Sequence, residues 1–152
     1  MSDNWVKIVA KPPGHLPAPS NIQAALATFN ELAPEADEIE IIKYPNIQFF
    51  DCGANFEIIS CPQCQSPIEL EWWEAAMESD FEETCGFQLK ERTLPCCSAH
   101  VSLNKLYYSF HQAFGRFAIS AMNPNIGRIS SEDIHKFEVA LGCKISVVYE
   151  HV

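Results

Sequence analysis

Five residues of this chain carry metal-ligand chemistry at close spacing: Cys61 and Cys64 in SCPQCQSP, then Cys96, Cys97 and His100 in TLPCCSAHVSLN. A C-x2-C turn presents two thiolates on one side of a tight loop, and a tetrahedral structural metal such as zinc needs four ligands. The second pair is expected in the later stretch, and 31 residues separate Cys64 from Cys96. That exceeds the usual ribbon spacing of about 15 to 20 residues. An inserted strand and helix in SPIELEWWEAAMESDFEETCGF would account for the excess. Two ligand sets compete. Cys61, Cys64, Cys96 and Cys97 make a site of four thiolates, which demands a sharp turn after Pro95. Cys61, Cys64, Cys97 and His100 make three thiolates and an imidazole, with C-x2-H as the second knuckle. Cys85, in TCGF, is a further ligand source and is otherwise a buried or free thiol. Cys52 and Cys143 have no partner at ligand spacing and read as core or surface thiols.

Other uses of these residues fit less well. A redox C-x2-C pair sits at a helix N-terminus, where the dipole lowers the thiol pKa. Here Pro67 and the strand-like Ile68–Leu70 follow, and PCC would have no reason to exist. A catalytic metal keeps one position open for water, whereas four thiolates leave no vacancy. H-E-x-x-H and the H-x-E with P-C-x-x-C pattern of zinc deaminases are absent. So are G-x-S-x-G, the P-loop and the dinucleotide fingerprint. The expected role of the metal is structural and the chain is expected not to be an enzyme. A metal-dependent or thiol enzyme is kept as a rival.

C-P-x-C, an insert and then P-C-C resembles a zinc ribbon. The wider string PCCSAHVSLNKLYYSFHQAFGRFAISAMNPN is similar to small bacterial proteins that pair such a ribbon with PCC, SLN and an F-x-R-F … NP stretch. The likeness covers roughly residues 58 to 125. It implies a structural zinc and, because it rests on PCC, the four-thiolate set; it implies no activity. Adjacent Cys96 and Cys97 in place of a second C-x2-C depart from a regular ribbon.

Charge patterning points to the same stretch. The chain has 152 residues and a net charge of −10, and from Tyr44 to Leu89 it has no Lys or Arg. Nine of its 20 acidic residues fall there. A nucleic-acid binder needs Lys and Arg to displace counterions from phosphates, so a nucleic-acid or transcription module of the ribbon type ranks as a rival reading only. The acidic stretch fits either a solvated face or a surface that steers a basic protein. WWEAAMESDF is the expected contact element, with Glu71, Trp72, Trp73, Glu74, Glu78, Asp80 and Glu82 as partner-binding residues. Adjacent tryptophans point about 100° apart on a helix, so one of the two is expected to be partly exposed. An immunity-type protein that neutralises a basic toxin is one concrete form of this expectation.

The remaining chain must position that stretch. Trp5–Ala10 and Glu38–Tyr44 alternate apolar and polar residues and read as strands. Ser20 with Gln23 suggests a capping box for a helix whose stripe is Ile22, Leu26, Phe29 and Leu32. Asn46–Phe50 and Phe56–Ser60 read as two further strands. Arg116–Met122, a helix capped by Ser130 or Ser131 and stopped at Gly142, and Lys144–Val152 repeat the β-α-β order. The expected fold is α+β: two β-α-β units sharing one sheet in a ferredoxin-like sandwich, with a zinc-ribbon-like insert. The expected parts are residues 1–60, an acidic insert over 61–100, and residues 101–152, the first and last forming one compact domain. No apolar run reaches the roughly 18 residues of a membrane span. The N-terminus lacks a basic head and apolar core, and a cytosolic setting is expected. There an odd number of cysteines, seven, suits ligands or buried thiols better than disulfides.

Overall fold

A computed structural model describes residues 3–152. Its long elements arise where the apolar periodicity places them. Strand β1 (Asn4–Ala10) leads through the proline-rich segment to helix α1 (Pro19–Leu32), and β2 spans Glu38–Phe50. At the other end, β9 (Ala113–Met122) is followed by α3 (Ser131–Leu141) and β10 (Ile145–His151). Between them lie β3 (Ile59–Ser60), α2 (Leu70–Asp80), β4 (Phe81–Glu82), β5 (Gly86–Phe87), β6 (Arg92–Thr93), β7 (His100–Val101) and β8 (Tyr107–Tyr108).

The result is an α+β fold with three α-helices and a mixed six-stranded sheet in the order β10-β1-β9-β2-β5-β4. The four long strands pair antiparallel, and β5 joins β2 in parallel through Ile47 and Gly86. Gly86 has φ +71°, and a Cβ there would lie 2.5 Å from the Ile47 carbonyl oxygen, so only glycine permits this junction. The acidic stretch is thus tied into the main sheet.

Alternation along β1 sends Ile8 to one face and Val9 to the other, and both are fully buried. On the first face α1 and α3 pack over the sheet, with Phe29 and Phe137 edge to face at 5.3 Å. On the second face Val9, Phe50, Cys52, Ala118 and Val148 form a smaller cluster. A separate core of Ile59, Cys61, Ile68, Ala76, Phe87 and Leu94 extends to Val101, Leu106, Tyr108 and Phe114. Its residues fall on both sides of 61 and of 100, and β8 pairs with β3.

Three local expectations are corrected. The helix over 19–32 is not capped by Ser20: Ala18 is the N-cap, no side chain caps it, and Pro19 opens the helix. Proline is preorganised for a first helical turn and lacks the N–H that a cap would satisfy. Residues 38–44 and 46–50 are one strand with a register shift between Lys43 and Gln48, where Pro45 cannot donate to the ladder. Of Phe56–Ser60, only Ile59 and Ser60 are strand.

Ser130 does cap α3, its Oγ accepting from the Asp133 N–H at 3.1 Å, and Gly142 closes the helix in the left-handed conformation. Ser130→Ala is expected to lower stability by about 1 kcal/mol in urea denaturation, with an unchanged denaturant slope.

Candidate metal centre

The cysteines are brought together by two short hairpins. In the first, the chain leaves β3 and turns at Cys61. The Cys61 N–H donates to the Ser66 carbonyl (2.9 Å), the Gln65 N–H donates to the Cys61 carbonyl (3.0 Å), and Gln65 takes φ +65°. The turn aims backbone donors at one sulfur: the N–H groups of Gln63 and Cys64 lie 3.3 and 3.4 Å from Cys61 Sγ.

The second hairpin, between the paired strands β6 and β7, repeats this backbone. The Leu94 N–H donates to the Ala99 carbonyl (2.9 Å), the Ser98 N–H donates to the Leu94 carbonyl (3.1 Å), and Ser98 takes φ +61°. CPQCQS and LPCCSA therefore superimpose residue by residue. Leu94 stands where a C-x2-C motif would have its first cysteine, and it is buried in the core beneath the turn. Cys97 matches Cys64, and Cys96 supplies the remaining sulfur from an interior position of the turn. The matching P-x-C and the polar residue after it, Gln65 or Ser98, were visible in the sequence; the equivalence was hidden because Leu94 offers no ligand.

The four sulfurs of Cys61, Cys64, Cys96 and Cys97 all lie within 4.8 Å of one another. Cys61 Sγ is 3.6 Å from Cys97 Sγ, and Cys96 Sγ is 3.8 Å from Cys97 Sγ. Four thiolates about 2.3 Å from a central ion stand roughly 3.8 Å apart in a tetrahedron, so these separations suit a metal ion. They are far too long for a disulfide, whose sulfurs are about 2.05 Å apart. His100 is not part of the group: it sits in β7 with Nδ1 3.3 Å from Thr93 Oγ1. Cys85 is exposed on another turn, its sulfur 3.6 Å from Thr84 Oγ1. Cys52 is buried and Cys143 half-buried, and burial raises the pKa of both.

The electrostatics of the four sulfurs suit a cation. The Ser66 side chain and N–H pull Cys64 down to about 6, and the Cys64 N–H pulls Cys61 down. Cys96 is pushed up to about 12, first by lost hydration and then by the neighbouring sulfurs. At Cys97 the Ala99 N–H acts to lower the pKa, but the Cys61 sulfur and lost hydration outweigh it. Two sulfurs thus hold negative charge readily and two resist it, because four thiolates at this spacing repel. A divalent ion held by the four sulfurs would remove the repulsion and favour the thiolate form of each.

The expected partner-binding residues divide. Glu71, Glu74, Glu78 and Glu82 are exposed. Trp73 is half-buried, its Nε1–H donating to Tyr108 Oη at 3.1 Å among the rings of Phe49, Phe56 and Tyr108. Trp72 lies in a surface groove of about 440 Å³ with Ala75, Glu91 and Arg92. Asp80 is corrected: it is fully buried. Its carboxylate accepts the backbone N–H groups of Gln88 (3.0 Å), Leu89 (2.8 Å) and Lys90 (3.0 Å), and Arg92 Nη2 lies 3.4 Å away. The loop closes round it with Leu89 at φ +54°. A count of acids along the chain could not separate this residue from its solvated neighbours.

No family model, curated protein or solved structure matches this chain. Among the described residues, no helix is long and apolar enough to cross a membrane.

Proposed function

We propose that this chain is a non-enzymatic protein-binding domain in which a structural zinc staples the acidic segment to the sheet. The observation that carries the metal half is the gathering of four sulfurs by two matching turns. Zinc fits best among divalent ions because all four ligands are thiolates and no position is left for water. The two facing hairpins support a zinc-ribbon-like unit. The order β10-β1-β9-β2, antiparallel throughout, with α1 and α3 packed together on one face, supports a ferredoxin-like sandwich beneath it.

The binding half rests on α2. Glu71, Glu74 and Glu78 fall on one helical face at spacings of three and four, and Ala76 with Trp73 and Met77 packs the other face into the separate core of Ile59, Phe87 and Leu94. Glu82 and Glu83 extend the charge past the helix end. Among the described residues none of these glutamates has an ion-pair partner. A row of uncompensated carboxylates on a stapled helix suits a basic protein surface, with Trp72 as the apolar contact beside it.

Capture of partners from native lysate by the wild type is expected to fall by about tenfold on reversing Glu74, Glu78 and Glu82 to Lys, and to weaken with salt. Capture indifferent to both would end the electrostatic reading.

A further inference from the structure

The six-stranded sheet ends on one side in the two-residue β4 and on the other in the seven-residue β10. A long edge strand presents backbone groups that can template pairing with another chain. The register with β1 identifies them. The Lys11 N–H donates to the Lys144 carbonyl (2.9 Å), and pairing continues through Val9↔Ser146 and Lys7↔Val148. Hydrogen-bonded pairs alternate in an antiparallel ladder, so Ile145, Val147, Tyr149 and His151 aim their backbone groups outward. Several of these are already engaged. Glu138 Oε2 accepts from the Ile145 N–H (3.2 Å), Asn55 Nδ2 donates to the Tyr149 carbonyl (3.0 Å), and His151 is bonded by Cys52 and Ala54. The N–H and C=O of Val147, with the Ile145 C=O and Tyr149 N–H beside them, have no partner among the described residues.

This gap opens into a groove of about 430 Å³ whose lining includes Lys11, His111, Arg128, Ile134, Val147 and Tyr149. The groove adjoins another of about 390 Å³ that brings Lys105 and Lys144. No Asp or Glu lines either one, although the chain carries a net charge of −10. The Arg128 guanidinium stands over the rings of Phe110 and Tyr149, at 5.9 and 5.6 Å from their centroids. Of the four Lys and Arg residues, only Lys144 has an ion-pair partner among the described residues, Glu138 at 3.6 Å. Gln112, 5% exposed, lines the second groove; its Oε1 accepts from the Cys52 N–H, while its buried Nε2 has no hydrogen-bond partner.

We propose that this groove binds an extended acidic segment of another protein as an added strand beside β10. The segment's backbone pairs with Val147 and its neighbours, and its carboxylates meet Lys11, Arg128, Lys105 and Lys144. Main-chain bonds supply affinity in strand addition and alternate side-chain pockets supply selectivity. Here Ile134 and the Tyr149 ring are the apolar part of those pockets, and the cations select the charge. The site lies on different elements from the glutamates of α2, so its test is independent of theirs.

The test uses the full chain as purified and two fluorescent heptapeptides, one alternating Glu with Val and one alternating Lys with Val. The Glu peptide is expected to bind at least about tenfold tighter than the Lys peptide, with affinity falling as salt rises. Val147→Pro removes one outward N–H without breaking a ladder bond to β1 and is expected to weaken the Glu peptide by about tenfold. Arg128→Glu, at an exposed position, is expected to weaken it by a similar factor. Equal binding of the two peptides would overturn the proposal. So would full binding by Val147→Pro beside lost binding by Arg128→Glu, which would leave a charged patch without strand addition. A wild-type dimer that Val147→Pro dissociates would give the edge to a second copy of this chain and would overturn it too.

Discussion

Cys61→Ser is expected to abolish metal binding and unfold the segment from about Ile59 to Tyr108, while the four long strands β1, β2, β9 and β10 with α1 and α3 stay folded. Cys61 is 1% exposed, accepts two backbone N–H groups at its sulfur, and touches the facing hairpin through Cys97 at 3.6 Å. The segment's own strands are short: β3, β4, β5, β6, β7 and β8 each contain two residues. Strands so short form only where something else fixes their ends. Structural zinc contributes about 10–16 kcal/mol in zinc-finger peptides, as much as the whole net stability of a typical domain. The wild type is expected to carry about one zinc per chain, measured by elemental analysis. Loss of the metal is expected to quench the near-ultraviolet dichroism of Trp72 and Trp73, while far-ultraviolet helix content falls only by the share of α2. Cys85→Ser and His100→Ala are expected to keep the metal, because neither side chain reaches the cluster. A metal-free wild type with the same melting curve would overturn the staple.

The second large effect is expected at Asp80, where Asp80→Ala should cost about 3–5 kcal/mol, the range for removing one partner of a buried charged pair. The carboxylate sits at the C-terminal end of α2, where the helix dipole is unfavourable to an anion. Three backbone N–H groups and Arg92 compensate for that. Alanine would leave the Gln88, Leu89 and Lys90 donors unsatisfied and deprive Arg92 of its acceptor. Asp80→Asn is expected to lose less, since one oxygen can still accept while the amide N–H groups oppose a donor. The loop round Asp80 leads into β6 and then into the second hairpin, so Asp80→Ala should also raise the metal dissociation constant. Urea denaturation and amide exchange over residues 88–99 check both effects. A loss under about 1 kcal/mol would mean that the loop is held by other contacts.

The elements with a full apolar period were legible in the chain. WVKIVA, the Ile22–Phe29 stripe, RFAISAM and the Phe137–Leu141 stripe form where their periodicity puts them. Ser130 and Gly142 also mark the ends of α3, because both signals act through atoms a few residues away. Cys61, Cys64, Cys96 and Cys97 could be picked out as ligand candidates by type and spacing, with His100 and Cys85 still in contention.

The choice among them came from nonlocal contacts. Leu94 in the place of a cysteine, the gathering of four sulfurs and the withdrawal of His100 to Thr93 depend on how two hairpins face each other across a core. That relation exists only once β3 has paired with β8 and β6 with β7. Burial of Asp80 is of the same kind: its identity announces a charge, and only the loop folded round it turns that charge inward. The open edge at Val147 likewise depends on strand order. By itself the sequence determined periods, caps and candidate ligands, because these are written over one or two turns of chain. Tertiary structure decided which ligands meet, which acid is buried and which strand is left unpaired, because each involves residues dozens of positions apart.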